Sequence, residues 1–230
     1  MARVRAALFD LDGTLVDSAK DLAHAVNTVL ARRGLAPLPT PEIASFLGKG
    51  AAHLMRKVAA ARGLTPSEQE LEALVSEYAS ILVASISRGT EFFPGVLDAL
   101  GELRAAGVKT ALVTNKMRAI TEAFLRDRGI EALFDTVVAA GDAARPKPAG
   151  DMLVLAMERL GAAPHECVMV GDSRNDALAG RAAGTRVLLV GTGYNEGEPI
   201  GIWARENGFP APLAGIAQVV EDLISEEDSA

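Results

Sequence analysis

Short apolar runs alternate with helical stretches through most of this chain, and no other feature narrows its possible folds as much. The runs are Ala6–Asp10, Lys109–Thr114, Phe134–Ala139, Cys167–Asp172 and Arg186–Val190, and each ends at or near an Asp, Asn or Gly. Continuous apolar runs of this length suit strands buried on both faces. The stretches between them carry helical patterns stopped by glycine: Val96–Ala106 before Gly107, Arg118–Arg128 before Gly129, Asn175–Ala183 before Gly184. Glycine just past the last turn is the expected C-terminal stop. Strand and helix in alternation predict an α/β fold built on a doubly wound parallel sheet, a Rossmann-like core.

The alternation fails between residues 15 and 90, where the pattern is helical throughout. Leu22, Val26, Val29 and Leu30 recur at helical spacing until Gly34, and Pro37, Pro39 and Pro41 mark a connection. Thr65-Pro66-Ser67-Glu68 has the form of a capping box. Leu71, Leu74, Val75, Tyr78, Ile81 and Leu82 then form one stripe. The expectation is an all-helical cap domain, residues 15–89, inserted in a catalytic core of residues 1–14 and 90–230. Its hinges would lie near Leu15–Asp17 and Arg88–Phe93. No repeat is visible, and the only biased segment is a short acidic tail, Ser225–Asp228.

Charge and composition remove several classes of function. The formal net charge is −7 over 230 residues, with no Lys/Arg block, so nucleic acid is an unfavourable partner. No apolar run approaches the ~20 residues of a membrane span, and the first apolar stretch breaks at Asp10, too early for a signal peptide. A cytoplasmic protein without a membrane partner is expected, as a monomer or homodimer. Cys167 is the single cysteine and sits in a strand-like run, which fits an inert buried thiol. His24, His53 and His165 fit surface or packing roles. Gly191-x-Gly193 lacks the further glycine of a dinucleotide fingerprint.

Four short motifs carry chemistry. Asp10-Leu11-Asp12-Gly13 ends the first strand with two carboxylates; alone it reads equally as a polar cation-binding turn. Gly171-Asp172-Ser173-Arg174-Asn175-Asp176 ends the fourth core strand, and one of its aspartates is explicable as a helix N-cap. Thr114-Asn115-Lys116 offers a hydroxyl and backbone N–H groups at an expected helix start, for phosphate or for simple capping. Pro146-Lys147-Pro148 would hold an extended segment that aims Lys147, or only a solvated loop lysine. In a doubly wound sheet all four fall outside the carboxyl ends of strands and converge on one site. Carboxylates, one lysine and one hydroxyl suit Mg²⁺ with a phosphate.

The order Asp10-Leu11-Asp12-Gly13-Thr14, Thr114-Asn115, Pro146-Lys147-Pro148 and Gly171-Asp172-Ser173-x-Asn175-Asp176 resembles the haloacid dehalogenase superfamily over nearly the whole chain. The resemblance implies a phosphatase in which Asp10 attacks phosphorus and forms an aspartyl phosphate. Asp12 would protonate the leaving oxygen and then take a proton from water. Mg²⁺ would sit on the Asp10 carboxylate, the Asp12 backbone carbonyl and Asp172. Lys147 would stabilise the transferred group, Thr114 and the backbone around Asn115 would hold phosphate oxygens, and Asp176 would orient Lys147 or a metal-bound water. The family's dehalogenases lack a carboxylate at the position of Asp12, which favours phosphoryl transfer. Gly191–Ile200 and Leu47-Gly48-Lys49-Gly50-Ala51 are similar to segments of the bacterial phosphoglycolate phosphatases, implying 2-phosphoglycolate as the small anionic substrate. Lys49 stands where that group carries asparagine, and is either a contact for the substrate carboxylate or a surface lysine. The alternatives are a β-phosphoglucomutase-like sugar-phosphate mutase and a non-catalytic phosphate-binding module.

Overall fold

A computed structural model describes residues 4–85 and 88–227. Asp228, the end of the acidic tail, lies outside the described residues, as do residues 1–3 and 229–230 of the expected core and 86–87 of the expected cap. The core is a parallel five-stranded sheet. Its strands are β1 (Ala6–Phe9), β4 (Lys109–Met117), β5 (Thr136–Ala140), β6 (Cys167–Gly171) and β7 (Arg186–Leu189), ordered β5-β4-β1-β6-β7. Alternate residues of each strand serve opposite faces. Ala7, Phe9, Leu112, Val168 and Val170 meet helices α5 (Val96–Ala105), α6 (Arg118–Arg128) and α10 (Ile216–Glu227). Ala6, Leu8, Ala111, Val113 and Met169 meet α7 (Asp151–Leu160) and α8 (Arg174–Ala183). A further helix, α9 (Ile200–Glu206), packs Ile200, Trp203 and Ala204 near β7.

The chain leaves β1 and β4 towards one face of the sheet and β5 and β6 towards the other. Neighbouring strands β1 and β6 therefore send their connections apart, and a crevice opens beyond their carboxyl ends.

The helical stretch forms as α1 (Ala19–Ala31), α2 (Thr40–Ala44), α3 (Ala51–Ala61) and α4 (Glu68–Ala84). These helices share their own apolar centre of Leu22, Val26, Val29, Ile43, Leu54, Met55, Val58, Leu71, Tyr78 and Leu82. The stretch is entered and left through a two-stranded antiparallel ribbon, β2 (Val16–Asp17) with β3 (Glu91–Phe92). Asp21, buried in the first turn of α1, accepts from Gly89 N–H at 2.7 Å and Thr90 Oγ1 at 2.6 Å, tying the two crossings together.

Three local expectations need correction. The capping box of α4 is Ser67–Glu70, not Thr65–Glu68: Ser67 N–H donates to Glu70 Oε2 at 2.8 Å and Glu70 N–H to Ser67 Oγ at 3.3 Å. Both frames fit the sequence, and Pro66 sits outside the helix. Thr114–Lys116 is not a helix start. Strand β4 runs on to Met117, and its register against β5 shifts between Val113 and Met117, so residues 114–116 leave the regular ladder as a bulge does. The segment around Lys147 is a turn, not an extended run: Ala149 N–H donates to the Pro146 carbonyl at 3.0 Å, and the Lys147–Pro148 peptide is cis.

Candidate active site

Asp10 stands one residue beyond β1, its N–H still in the sheet through a 3.0 Å bond to the Val170 carbonyl. Across the crevice, Asp172 follows β6 and is 3% exposed. Thr14 Oγ1 donates to its Oδ1 at 2.9 Å and Tyr194 N–H to its Oδ2 at 2.9 Å. Glycines make this packing possible. A Cβ on Gly193 would lie 1.8 Å from Asp172 Oδ2, and one on Gly13, whose φ is +92°, would lie 2.6 Å from it. Any side chain at either position would displace the carboxylate.

Lys147 lies buried behind these groups. Its Nζ is 2.9 Å from Asp10 Oδ1, 2.6 Å from Asp176 Oδ1 and 2.7 Å from the Val113 carbonyl. The Asp10 contact is an ion pair without hydrogen-bond alignment, and no donor satisfies Oδ1. Asp176 is fully buried, and its Oδ2 accepts from both N–H and Oγ of Ser173. Ser173 is the N-cap of α8; neither aspartate is. Asn115 fixes the backbone of Lys147: Oδ1 accepts from Lys147 N–H at 3.0 Å, and Nδ2 donates to the Lys147 carbonyl at 2.9 Å. The same Nδ2 reaches the Gly48 carbonyl of the helical insert at 2.9 Å. The Asn115 side chain is thus committed to protein groups, leaving its backbone to face a ligand.

Asp12 is held separately. Lys116 Nζ donates to both its oxygens, at 2.8 and 2.9 Å, and Ser18 Oγ to Oδ1 at 2.5 Å. Thr114, 2% exposed, accepts from Lys116 N–H through Oγ1 at 3.2 Å. Asp10, Asp12, Thr114, Asn115, Lys116 and Asp172 line one cavity of about 60 Å³. Its opposite wall, from the insert, is Leu22, Leu47, Gly48, Gly50, Ala51, Leu54 and Tyr78.

Electrostatics at this crevice call for a cation. Four carboxylates, Asp10, Asp12, Asp172 and Asp176, face two ammonium groups, Lys116 and Lys147. Burial pushes Asp10 up to about 6, against the pull of Lys147 and helped by Asp176 and Asp12. Burial, then the charges of Asp176 and Asp10, drives Asp172 well above the ordinary carboxylate range. Burial opposes the Lys147 charge, but Asp10 and Asp176 outweigh it and hold the ammonium protonated beyond its usual range. Carboxylate oxygens of Asp10, Asp172 and Asp176 lie within 4.8 Å of one another. Excess negative charge, an unsatisfied Asp10 oxygen and hard oxygen donors together fit a divalent cation.

Lys49 is not brought to this cavity. Its Nζ pairs with Glu196 Oε2 at 2.9 Å, its side chain is 38% exposed, and it is absent from the cavity wall. Glu196 lies in a tight turn at φ 55°, adjoining Asn195 at φ 28°, and that turn places its carboxylate over the insert loop. Of the two readings of Lys49, this geometry is that of a partly exposed lysine paired with Glu196.

Sequence reasoning missed Lys116, Ser18 and Tyr194. Tyr194 Oη donates to Asp17 Oδ1 at 2.7 Å and accepts from Ser18 and Ala19 N–H at 3.0 and 3.1 Å. One residue therefore holds Asp172 by its backbone and the start of α1 by its phenol. The adjacency of Lys116 to Thr114-Asn115 was the one available hint for the lysine.

The family model for haloacid dehalogenase-like hydrolases matches residues 7–190. Phosphoglycolate phosphatase of Caulobacter vibrioides is 38% identical over 192 residues, covering 84% of this chain and 81% of that protein. Phosphoglycolate phosphatase of Nitrosospira multiformis is 39% identical over 203 residues, covering 86% and 87%. Among solved structures, one described as a predicted phosphoglycolate phosphatase from Haemophilus somnus superposes with a TM-score of 0.87 at 26% identity, covering 96% of this chain and 98% of that one.

Proposed function

This chain belongs to the haloacid dehalogenase-like hydrolases and is a phosphoric monoester hydrolase, and we propose that its substrate is 2-phosphoglycolate, cleaved to glycolate and phosphate. The observation that carries the reading is the crevice between β1 and β6, where Asp10, Asp12, Lys116 and Asp172 face one small cavity with Lys147 behind. The apolar wall that the insert sets opposite these groups, Leu22, Leu47, Ala51 and Leu54, offers few partners for the several hydroxyls of a sugar and favours a short organic half. The names of the two curated relatives point the same way.

In this reading Asp10 attacks phosphorus as the bond to the leaving oxygen breaks, giving an aspartyl phosphate. Asp12, two residues on, enters the step as the carboxylic acid, with a proton taken up from solvent, and gives that proton to the leaving oxygen. It then accepts one from the water that attacks the aspartyl phosphate, releasing phosphate and restoring Asp10. Lys147 balances negative charge at Asp10 Oδ1, while Thr114 and the bulged backbone of residues 114–116 offer donors to phosphate oxygens. Asp176, already paired with Lys147, acts as its positioning residue. The Asp10 and Asp172 carboxylates with the Asp12 carbonyl would hold Mg²⁺, which supplies charge shielding between two anionic reactants. The helical insert acts as a cap that excludes water.

The test is phosphate release from a panel of small phosphomonoesters, with Mg²⁺ and with chelator, together with product analysis. Preference for 2-phosphoglycolate, lost with chelator, is expected. Preference for another ester, or isomerised sugar phosphate in place of free phosphate, overturns the reading.

A further inference from the structure

The cavity separates a phosphate end, rich in fixed charge, from an organic end walled by the insert, and charge at the organic end is scarce. Leu22, Leu47, Ala51 and Leu54 from the insert are apolar, as are Met117 and Ile120 beside them. Tyr78 is the one polar side chain the insert contributes to that wall, and its neutral hydroxyl does not balance a full negative charge. Lys49 turns to Glu196 instead. Among the described lining residues, Lys116 alone carries a cationic side chain. Burying an anion without a cation or several donors is costly, and Lys116 is the one cationic side chain that lines the cavity for an anionic organic half, across from the uncapped first turn of α3.

Lys116 is built for that partnership. Its side chain is only 10% exposed, so the ammonium works in a partly dehydrated setting. An ammonium has three N–H donors. Two are used on the oxygens of Asp12, and among the described residues no other acceptor meets it. Lys116 shares the holding of Asp12 with Ser18, whose Oγ donates to Oδ1 at 2.5 Å. The lysine therefore has both a free donor and the freedom to share its charge with a second carboxylate.

We propose that Lys116 is the specificity-determining residue of the site, its ammonium binding the carboxylate of the substrate's organic half while remaining beside Asp12. This rests on the reading of the substrate as 2-phosphoglycolate. It assigns the charged contact with the carboxylate to the core bulge at residues 114–116, next to the phosphate end.

The experiment compares kcat/KM for 2-phosphoglycolate with that for ethyl phosphate, which matches its length but lacks the carboxylate. The wild type, Lys116→Gln, Lys116→Met and Lys116→Arg are measured, each checked for folding by thermal unfolding. The two neutral variants are expected to shrink the wild-type preference by about 10- to 100-fold, the scale of one hydrogen bond to a charged group. Lys116→Arg should restore most of it, which a purely structural role for the lysine would not require. The methionine variant gives the result if the glutamine variant does not fold. A wild-type preference left unchanged by both neutral replacements overturns the assignment to Lys116 alone. A wild type with no preference between the two esters overturns it together with the substrate reading.

Discussion

The two walls of the cavity are made by opposite rules. On the core side three of the four carboxylates are held by hydrogen bonds, Asp172 by Thr14 and Tyr194, Asp176 by Ser173 and Lys147, and Asp12 by Ser18 and Lys116, while Asp10 is ion-paired with Lys147. On the insert side the wall is Leu22, Leu47, Ala51 and Leu54, the backbone of Gly48 and Gly50, and a single phenol. A group that must exchange protons or form bonds is useful only when its position is fixed, and hydrogen bonds at a strand end fix it. A wall that shapes space and keeps water out needs only packing. If the division holds, substitutions of the core carboxylates should cost rate, and insert substitutions should cost stability or the fit of the organic half.

The sharpest separation should come from Asp10→Asn. An amide is a poor nucleophile, so turnover should fall roughly 10⁴-fold or more with the thermal unfolding profile little changed. Near-wild-type activity in a clean preparation would remove the covalent mechanism. Asp12→Asn should follow, losing about 10²–10⁴-fold on alkyl phosphates and much less on an aryl phosphate, whose leaving group needs no proton. Equal losses on both esters would mean that Asp12 is not the leaving-group acid.

On the insert side, Leu54→Ala should cost about 2–5 kcal/mol of stability, as truncations of buried leucine do, since Leu54 is 2% exposed. The same change enlarges the cavity and should admit bulkier esters. If Leu54→Ala slowed the chemical step as much as Asp12→Asn, the contrast between the walls would be broken.

A smaller effect should track pH. The folded protein keeps its proton on Asp10 up to about 6, above the ordinary carboxylate value, so it binds more protons than the unfolded chain in that window. Stability without metal should therefore fall as pH rises through it. A divalent cation takes the place of the proton, so the rise in Tm on adding Mg²⁺ should be greater at about pH 7.5 than at about pH 5. A rise that is equal at both pH values would place the cation away from Asp10. Smallest of all should be Lys49→Ala. Its partly exposed pair with Glu196 is of a kind worth about 0–1 kcal/mol, and kcat/KM should shift by no more than a few-fold, with a weaker effect at high salt.

The sequence made the core wall readable because each motif is tied to the end of a strand, and strand ends of a doubly wound sheet have one place to go. Asp10, Asp12, Thr114, Asn115 and Asp172 reach the cavity for that local reason. What escaped depends on distant segments. Tyr194 meets Asp17, Ser18 and Ala19 from the far end of the chain, and nothing in Gly191–Ile200 announces it. Lys49 between two glycines looked free to approach a ligand, but the turn that aims Glu196 at it lies well over a hundred residues on. The bulge in β4 was hidden because Thr114–Met117 reads as a helix approach, while the pairing with β5 keeps it in the sheet.

The ribbon of Val16–Asp17 with Glu91–Phe92 brings the insert's entry and exit side by side on the host. A segment whose two ends are neighbours can be lengthened, replaced or excised without changing the distance the remaining chain must span. The ribbon is thus a natural graft point. A relative's helical segment spliced in place of the insert, with Ser18 kept beside Asp12, would leave the strand-end carboxylates and Lys116 on the host, making the enzyme a chassis on which the shape of the organic end is exchanged while the charged apparatus is inherited.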